Sequence, residues 1–193
     1  GTLATSAVDS VTGTSGNADI LQLAGSDGGA VSVSAIETVR GSAATDSVTL
    51  LASGGIAVSG VESVIGTSGA DSLVYQSGGT VSVSAIETVT GTTGTGDVAA
   101  IMAAGATTLS VSGIESVLGT TDQTEVVRMM QTGNLGASNV ETVVGSATAG
   151  DVVRLLGDGN LTVSGVETAI GSTGGSDALT LLNVAEATPP RLT

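Results

Sequence analysis

The sequence lacks cysteine and histidine and has almost no aromatic residues. Its 193 residues include no Cys, His, Trp or Phe, and aromatic residues make up 1% of the chain. Without cysteine there are neither disulfides nor thiolate metal sites. Without rings, which usually supply much of a globular core, the core must be aliphatic, and hydrophobic residues make up 40%. A stack of thin coils meets that requirement, and the regular spacing of the apolar residues argues against disorder.

Positive charge is also nearly absent. The net charge is −14, and the only basic residues are Arg40, Arg128, Arg154 and Arg191. Nucleic acids and anionic membranes are bound through clustered Lys and Arg, so we expect neither as a partner, and divalent cations are the natural counter-ligands. No apolar run approaches the roughly 20 residues of a membrane span, which predicts no membrane insertion. The N-terminus does not resemble a signal peptide, so we expect a mature or excised segment.

One pattern recurs seven times along the chain, with 25 to 28 residues between successive copies. The copy from Val81 to Ile101 reads VSVSAIETVTGTTGTGDVAAI. Its most regular feature is an acidic residue followed by Ser or Thr. These acids, which we call the corner acids, are Asp9, Glu37, Glu62, Glu87, Glu115, Glu141 and Glu167. Seven copies at a nearly constant period indicate a repeat architecture.

Each copy contains three short segments with the apolar pattern of strands. The first has the form apolar-x-apolar-Ser, the second bends at the Glu-Thr pair, and the third alternates as at Leu73 and Tyr75. We therefore predict an all-β fold, a parallel β-helix (β-solenoid) of about seven coils of 25–28 residues, with three short strands per coil. Coils stacked about 4.8 Å apart would form a rod roughly 34 Å long. The solenoid is predicted over residues 1–184, and 185–193 as a C-terminal tail or cap, because Pro189-Pro190 cannot continue a ladder.

Two rows contain 14 of the 18 carboxylates: the corner acids, and one acid after each glycine-rich loop. The second group, which we call the loop acids, is Asp19, Asp46, Asp71, Asp97, Glu125, Asp151 and Asp177. If equivalent residues of successive copies stack, each row becomes a column, with Asp46 and Asp71 one rung apart. Charges about 5 Å apart repel by roughly 1 kcal/mol in water. Each column therefore needs solvent, hydrogen-bond donors or cations.

The two rows admit different interpretations. The loop acids either bind calcium, with Ser, Thr, carbonyls and water completing the ligand set, or cap their own turns by accepting backbone N–H bonds. The corner acids favour a structural polar ladder, in which each carboxylate accepts hydrogen bonds from the hydroxyls or N–H groups of the next coil. A cation-binding column and a partner-binding surface are the alternatives for that row.

The loop from Gly66 to Leu73, GTSGADSL, resembles the hemolysin-type (RTX) nonapeptide Gly-Gly-x-Gly-x-Asp-x-apolar-x, with Thr67 in place of the second glycine. Residues 13–19 and 91–97 resemble it with one residue inserted. The resemblance covers one loop per copy. It implies calcium bound by the loop acids between successive turns. It also implies a secreted bacterial protein, of the kind found in large surface and adhesin-type proteins.

These features together predict a structural, non-catalytic module, extracellular or on the bacterial cell surface. A surface layer, an adhesin stalk or a head-to-tail filament would suit it, with calcium as a candidate stabilising ion. The partner is then another copy joined head to tail, or neighbouring repeats of a longer chain. We predict no enzyme, because without His, Cys or Lys a serine nucleophile has no conventional base. The alternative is a surface-binding solenoid whose Ser and Thr rows contact ice or a glycan.

Overall fold

The computed structural model describes residues 1–16, 18–26, 28–102, 108–121 and 124–182. The predicted tail at 185–193 lies outside the described residues, as do 183 and 184 of the predicted solenoid. The described residues form strands joined by loops and include no helix that could span a membrane. The strands are β1 (Thr2–Thr5), β2 (Ser10–Thr12), β3 (Ile20–Leu23), β4 (Gly29–Ser34), β5 (Thr38–Arg40), β6 (Asp46–Leu50), β7 (Gly55–Ser59), β8 (Ser63–Ile65), β9 (Ser72–Tyr75), β10 (Thr80–Ser84), β11 (Thr88–Thr90), β12 (Val98–Ile101), β13 (Thr108–Ser112), β14 (Ser116–Leu118), β15 (Val126–Met129), β16 (Asn134–Ser138), β17 (Thr142–Val144), β18 (Val152–Leu155), β19 (Asn160–Ser164), β20 (Thr168–Ile170) and β21 (Ala178–Leu181).

The strands alternate between two sheets. The odd-numbered strands form an 11-stranded sheet and the even-numbered strands a 10-stranded sheet, each in sequence order. Neighbouring strands within each sheet are parallel; β6, for example, pairs with β4 and β8. The chain therefore crosses from one sheet to the other after every strand. The predicted all-β parallel solenoid is confirmed.

The predicted number of coils is wrong. Two strands complete one turn, so the 21 strands make about ten turns rather than seven coils of three strands. One copy of the sequence pattern still supplies three strands, as predicted, but those three strands wind through one and a half turns. At about 4.8 Å per turn, the rod is roughly 50 Å long.

The short corners explain the difference. Between the first and second strand of each copy the chain reverses direction within about three residues, through one residue of left-handed conformation. At Ala35 φ is 52°, and at Gly60 it is 59°. The other corners use Ala7, Ala85, Gly113, Asn139 and Gly165. A left-handed residue produces a tight reversal, so the chain folds back onto the opposite sheet instead of turning through a third of a circle.

Equivalent residues of successive copies consequently lie on opposite sheets. Val39 belongs to the odd sheet, whereas Val64, one copy later, belongs to the even sheet. Within a sheet, a strand of one type pairs with strands of the other two types: Val64 lies between Val48 and Val83. Only every second copy returns to the same sheet, and it does so three turns further along the rod.

The core is a layer of aliphatic side chains between the two sheets. The residues with the largest fully buried apolar side chains are Leu21, Leu73, Leu109, Leu135 and Leu161. The single aromatic residue, Tyr75, is also buried, and its hydroxyl donates a hydrogen bond to the carbonyl of Val98 at 3.0 Å. Burial, with the nearby charge of Asp97, raises the pKa of Tyr75 above its usual value, so the hydroxyl keeps its proton.

Cysteine pairs distinguish the two-strand turn from a three-strand coil. Ser47 and Ser63 are paired outward residues of β6 and β8, so the double variant Ser47→Cys/Ser63→Cys is expected to form a disulfide on oxidation, since such strands lie about 4.8 Å apart. The control Thr38→Cys/Ser63→Cys joins equivalent positions of successive copies, which lie on opposite sheets and should keep both thiols free. Thiol titration after mild oxidation measures both, and a disulfide in the control would contradict the two-sheet fold.

Candidate functional site

The loop acids divide between the two edges of the rod. Asp19, Asp71, Glu125 and Asp177 lie where the chain passes from an even to an odd strand, which we call the even-to-odd edge. The opposite, odd-to-even edge has Asp46, Asp97 and Asp151. On one edge, successive loop acids are three turns apart, roughly 14 Å. The expectation that Asp46 and Asp71 stack one rung apart is therefore wrong.

Asp71 shows how a loop acid is held. One carboxylate oxygen, Oδ2, accepts hydrogen bonds from the backbone N–H of Thr67 at 2.6 Å and from its hydroxyl at 2.8 Å. The other, Oδ1, accepts a bond from the N–H of Gly54, in the loop one turn below, at 2.8 Å. The side chain is buried. A single carboxylate thus closes its own loop and ties that loop to the neighbouring turn.

The same contacts recur in the other copies. The oxygen Oδ2 accepts N–H bonds from Thr14, Ser42, Thr92, Ser146 and Ser172 in the loops of Asp19, Asp46, Asp97, Asp151 and Asp177. The N–H groups of Gly133 and Gly159 reach Asp151 and Asp177 from the turn below. At Asp19 the hydrogen bonds from the hydroxyl and the N–H of Thr14 hold the pKa of that carboxyl below its usual range.

Six of the seven corner acids accept a hydrogen bond from the backbone N–H of the loop acid of the preceding copy. Oε2 of Glu87 accepts the backbone N–H of Asp71 at 2.7 Å, and the N–H of Glu87 donates to the carbonyl of Asp71 at 3.1 Å. We call such a pair of acids an acid clasp. The six clasps are Asp19–Glu37, Asp46–Glu62, Asp71–Glu87, Asp97–Glu115, Glu125–Glu141 and Asp151–Glu167. Asp9 and Asp177 have no clasp partner among the described residues.

The clasps formed by an aspartate and a glutamate bring like charges close without placing one carboxylate against another. In the Asp71–Glu87 clasp the loop carboxylate faces the donors of its own loop, while the corner carboxylate faces a backbone N–H. Five loop acids, Asp46, Asp71, Asp97, Glu125 and Asp151, are buried in this way. Burying a charge is costly unless hydrogen bonds satisfy it, and these loops supply the bonds.

Comparison with protein-family models, with curated proteins and with solved structures finds no match for this chain. The resemblance to hemolysin-type repeats therefore depends on the loop motif alone and stays a prediction.

The clasp formed by Glu125 and Glu141 is chemically different. Glu125 is one methylene longer than the aspartates, and Thr120 donates to it through both its N–H and its hydroxyl. Burial raises its pKa, but the hydrogen bonds from Thr120 and Glu141 outweigh burial and leave the pKa lowered. Burial and the neighbouring Glu125 raise the pKa of Glu141. In this clasp the pKa of the loop acid is therefore lowered and that of the corner acid is raised.

The variant Glu141→Gln is expected to be more stable than the parent at pH 7, with the difference shrinking as the pH falls. Because folding raises the pKa of Glu141 above its ordinary 4.5, the stability it contributes is complete below that value and is lost as the pH rises through the raised pKa. Glutamine retains the neutral form at every pH. The lowered pKa of Glu125 acts in the opposite direction, contributing stability above 4.5 and losing it in acid.

Urea unfolding at pH 4 and pH 7 measures this effect. The matched control is Glu87→Gln, whose loop acid is the shorter Asp71. A gain at pH 7 as large in the control as in Glu141→Gln would contradict the raised pKa of Glu141 as its cause.

Sequence reasoning missed the importance of the glycine that opens each loop. A Cβ on Gly41, Gly66 or Gly91 would lie 1.6–1.9 Å from the carbonyl oxygen of the corner residue one turn above. The N–H of each of these glycines donates a hydrogen bond, 2.8 Å long, to the carbonyl of the serine that precedes the corner residue. The signal was present in the sequence, since a glycine precedes Ser or Thr at this place in all seven copies: Gly13, Gly41, Gly66, Gly91, Gly119, Gly145 and Gly171.

The oxygens of the loop acids face hydrogen-bond donors, as expected for turn capping. Calcium takes about six to eight oxygen ligands, whereas the oxygens of Asp71 and Asp151 face N–H and O–H donors. One buried oxygen in the described part of the chain, Oδ1 of Asp97, has no hydrogen-bond partner. Within those same residues no three acids converge into a metal-binding group. Successive loop acids on one edge are also too far apart, at roughly 14 Å, for one ion to bridge them.

Proposed function

We propose that the chain is a structural, non-catalytic β-solenoid module that acts as a stiff spacer in an extracellular or cell-surface bacterial assembly. A surface layer or an adhesin stalk fits this role. The observation that carries the proposal is that the acids, the most chemically capable groups of the chain, are engaged in holding the coil together. In the Asp71–Glu87 clasp both acids accept backbone hydrogen bonds of the solenoid.

Stiffness follows from how the turns are connected. Two parallel ladders run along the rod, from β1 to β21 and from β2 to β20. At each edge an acid clasp recurs every third turn and adds hydrogen bonds between loops that the ladders do not reach. Repeat proteins transmit load only between neighbouring turns, so bonds between turns raise resistance to bending and stretching.

An extracellular location is supported by the chemistry of the chain. The solenoid is held by hydrogen bonds and aliphatic packing and contains no thiol that an oxidising environment would alter. The net charge of −14 favours solubility at an exposed surface. The loop motif that resembles hemolysin-type repeats is consistent with the same location.

Head-to-tail association, or continuation into neighbouring repeats of a longer chain, belongs to this proposal. The described solenoid presents an unclasped corner acid, Asp9, at one end and an unclasped loop acid, Asp177, at the other. A second solenoid of the same type, with parallel strands that continue the two ladders, could supply a loop acid to Asp9 and a corner acid to Asp177.

Electron microscopy of the purified chain tests the proposal. We expect rods roughly 50 Å long, singly or joined end to end, and compact particles would contradict a spacer. Rods whose length stays constant at high protein concentration, with and without calcium, would contradict head-to-tail joining alone.

Calcium stabilisation stays a prediction that a melting experiment decides. Since protein donors already surround the loop carboxylates, we expect the thermal unfolding curve, followed by circular dichroism, to be the same in excess chelator and in millimolar calcium. A large rise in melting temperature that requires calcium, and that is lost in Asp71→Asn, would instead support the seven loop acids as calcium ligands.

Surface binding is the second candidate function, favoured by the outer faces of the sheets. The outward positions are mostly Ser, Thr, Ala and Val, as in Ser47, Ser63 and Ser82, which pair in a row on the even sheet. Flat hydroxyl-bearing faces suit ice or a glycan surface. A thermal-hysteresis assay and binding to insoluble polysaccharide test this function, and the absence of both activities would remove it.

A further inference from the structure

The strands stack in one order along the whole rod. Each copy of the sequence pattern contributes a first, a second and a third strand, such as β7, β8 and β9. Within a sheet, a first strand lies above each second strand, as β10 lies above β8. A second strand lies above each third strand, as β11 lies above β9. The second strands from β2 to β17 and the third strands from β3 to β18 all follow this order.

The two ends of the described solenoid are open in matching ways. At the upper end are β20, a second strand, and β21, a third strand, and no described strand lies above them. At the lower end are β1, a first strand, and β2, a second strand, and no described strand lies below them. By the order of the interior, β20 accepts a first strand and β21 a second strand. The lower end of another copy presents this pair, and open strand edges are templates for pairing with another chain.

Both ends expose side chains that belong to the core. Leu3 and Val8 at the lower end are 49% and 38% exposed, and Leu179 and Leu181 at the upper end are 40% and 75% exposed. The interior residues at the same four positions of the pattern are buried, as in Val81, Ile86, Leu73 and Tyr75. One further turn on each end would therefore bury all four exposed side chains, and burial of apolar surface favours association.

We propose that copies of this chain join end to end in a single register, in which β1 of the second copy pairs with β20 of the first and β2 of the second copy pairs with β21. This inference rests on the proposed spacer function and specifies the contact between one spacer and the next. The second copy supplies both strands that the interior order requires. The two parallel ladders then continue from one chain into the other.

The residue pairs at the junction follow from the interior register. Ser6 directly precedes its corner, as Ser84 does, and Ser84 pairs with the last residue of β8. Ser6 of the second copy therefore pairs with Ile170, the last residue of β20. Two residues earlier on both strands, Ala4 of the second copy pairs with Thr168.

Joining in this register exchanges the two sheets. Strand β1 belongs to the odd sheet and β20 to the even sheet, so the odd sheet of one chain continues as the even sheet of the next. The cause is the odd number of strands, 21, at two strands per turn. Successive chains are therefore rotated by about half a turn, and one surface feature returns to the same side only every second chain, roughly 100 Å apart. Such a heterologous contact does not close on itself, so it produces a filament.

The junction also completes an acid clasp. In the interior, the N–H of a loop acid donates to the corner acid of the turn above, as Asp71 donates to Glu87 at 2.7 Å. The loop acid at the upper end is Asp177, and the corner acid placed above it is Asp9 of the second copy. The six corner acids that form clasps within the chain are glutamates, whereas Asp9 is one methylene shorter. The carboxylate of Asp9 therefore reaches less far, and the clasp at the junction is weaker than those within the chain.

A smaller core contact weakens the junction further. Where β8 meets β10, Val64 lies beside Val83, and both are buried. At the junction the same two positions are occupied by Ala169 and by Thr5 of the second copy, so less apolar area is buried. The net charge of −14 on each copy also opposes the contact. We therefore expect the junction to open reversibly, and added salt to strengthen it by screening the charges.

Cysteine cross-linking tests the register. Ala4 and Thr168 lie at opposite ends of one rod, so a disulfide in Ala4→Cys/Thr168→Cys joins two chains. We expect this variant to form a ladder of disulfide-linked oligomers on mild oxidation, seen on a non-reducing gel. The control Ala4→Cys/Thr180→Cys places the two cysteines on opposite sheets at the junction and should stay monomeric. A ladder in the control as strong as in the first variant, or stronger, would overturn the register.

Sedimentation velocity over a range of protein and salt concentrations tests the junction itself. We expect association that Leu181→Ser weakens at least tenfold. Asp9→Glu should strengthen it, because the junction then has the same clasp as the interior. The matched control Met130→Ser changes a side chain that is 57% exposed on the side of the rod and should leave association unchanged. Circular dichroism verifies that each variant keeps the fold.

The outcomes separate the junction from the spacer function. A chain that stays a single rod roughly 50 Å long at millimolar concentration in high salt would overturn the junction and leave the spacer function intact. Coverage of the upper end by residues 183–193 of the same chain would give that result. Equal weakening by Leu181→Ser and Met130→Ser would also overturn the junction, whereas compact particles would contradict the spacer function itself.

Discussion

Replacing Gly91 with alanine is expected to lower the free energy of unfolding by about 3–5 kcal/mol. The added Cβ would lie 1.8 Å from the carbonyl oxygen of Gly113, one turn above. The oxygen belongs to the backbone, and the Cβ is bonded directly to the Cα of residue 91, so neither can move away without breaking the hydrogen bond from the N–H of Gly91 to the carbonyl of Ser112, which is 2.8 Å long. The two turns must separate, and the Asp97–Glu115 clasp separates with them. Urea unfolding followed by circular dichroism measures the loss.

The control for this experiment is Gly159→Ala. No heavy atom lies within 4 Å of a Cβ built at that position, and its backbone does not have a positive φ. Such a substitution should change the free energy of unfolding by less than about 1 kcal/mol in either direction. Equal losses in the two variants would show that the glycine of the loop is needed for chain flexibility rather than for the close approach of two turns.

The second large effect is expected from Asp71→Ala, which should cost about 3–5 kcal/mol of the free energy of unfolding. The substitution removes the charged acceptor of three part-buried hydrogen bonds, those from the N–H and the hydroxyl of Thr67 and from the N–H of Gly54. A hydrogen bond to a charged group contributes about 1.5–3 kcal/mol. Because the lost partners are protein groups, the loss should be the same in chelator and in calcium.

Asp9→Ala is the matched control, because it removes an exposed acid for which the described contacts show no side-chain partner. It should change the free energy of unfolding by about 0.5 kcal/mol or less. In a stack of turns, damage at one layer can open that layer before the rest. Hydrogen exchange of the amides around Thr67 and Gly54 therefore provides a local measurement. An Asp71→Ala protein as stable as Asp9→Ala would contradict the role assigned to the acid clasps.

Much of the fold could be predicted from local pattern. The alternation at Leu73 and Tyr75, and at Val81 and Val83, indicated which side chains face the core, and these four are buried. The number of strands per copy and the parallel stacking followed from the repeat. Successive side chains of a strand point to opposite sides of the backbone. The alternating pattern therefore shows which side chains face the core without any knowledge of distant residues.

The candidate site was predicted in its members but not in its pairing. Both rows of acids were identified from their spacing, yet each acid was expected to stack on its own kind. In the structure Asp71 contacts Glu87, a corner acid of the next copy, and Asp46 lies on the opposite edge. Which loop acid meets which corner acid depends on which turn lies above which. A repeat of three strands is compatible with three strands in a turn or with two, so the sequence does not determine the pairing.

The sequence alone therefore determined an acidic, all-β parallel solenoid with an aliphatic core and two acids in each repeat. The tertiary structure alone decided that two strands close a turn and that the loop acids of successive copies lie on opposite edges. It also decided that the glycine opening each loop leaves no room for a Cβ beneath the corner of the next turn. The physical reason is that strand facing is a local property of the chain. The angle at a corner such as Ala35, where φ is 52°, becomes fixed only when the following strand pairs with its neighbour in the sheet.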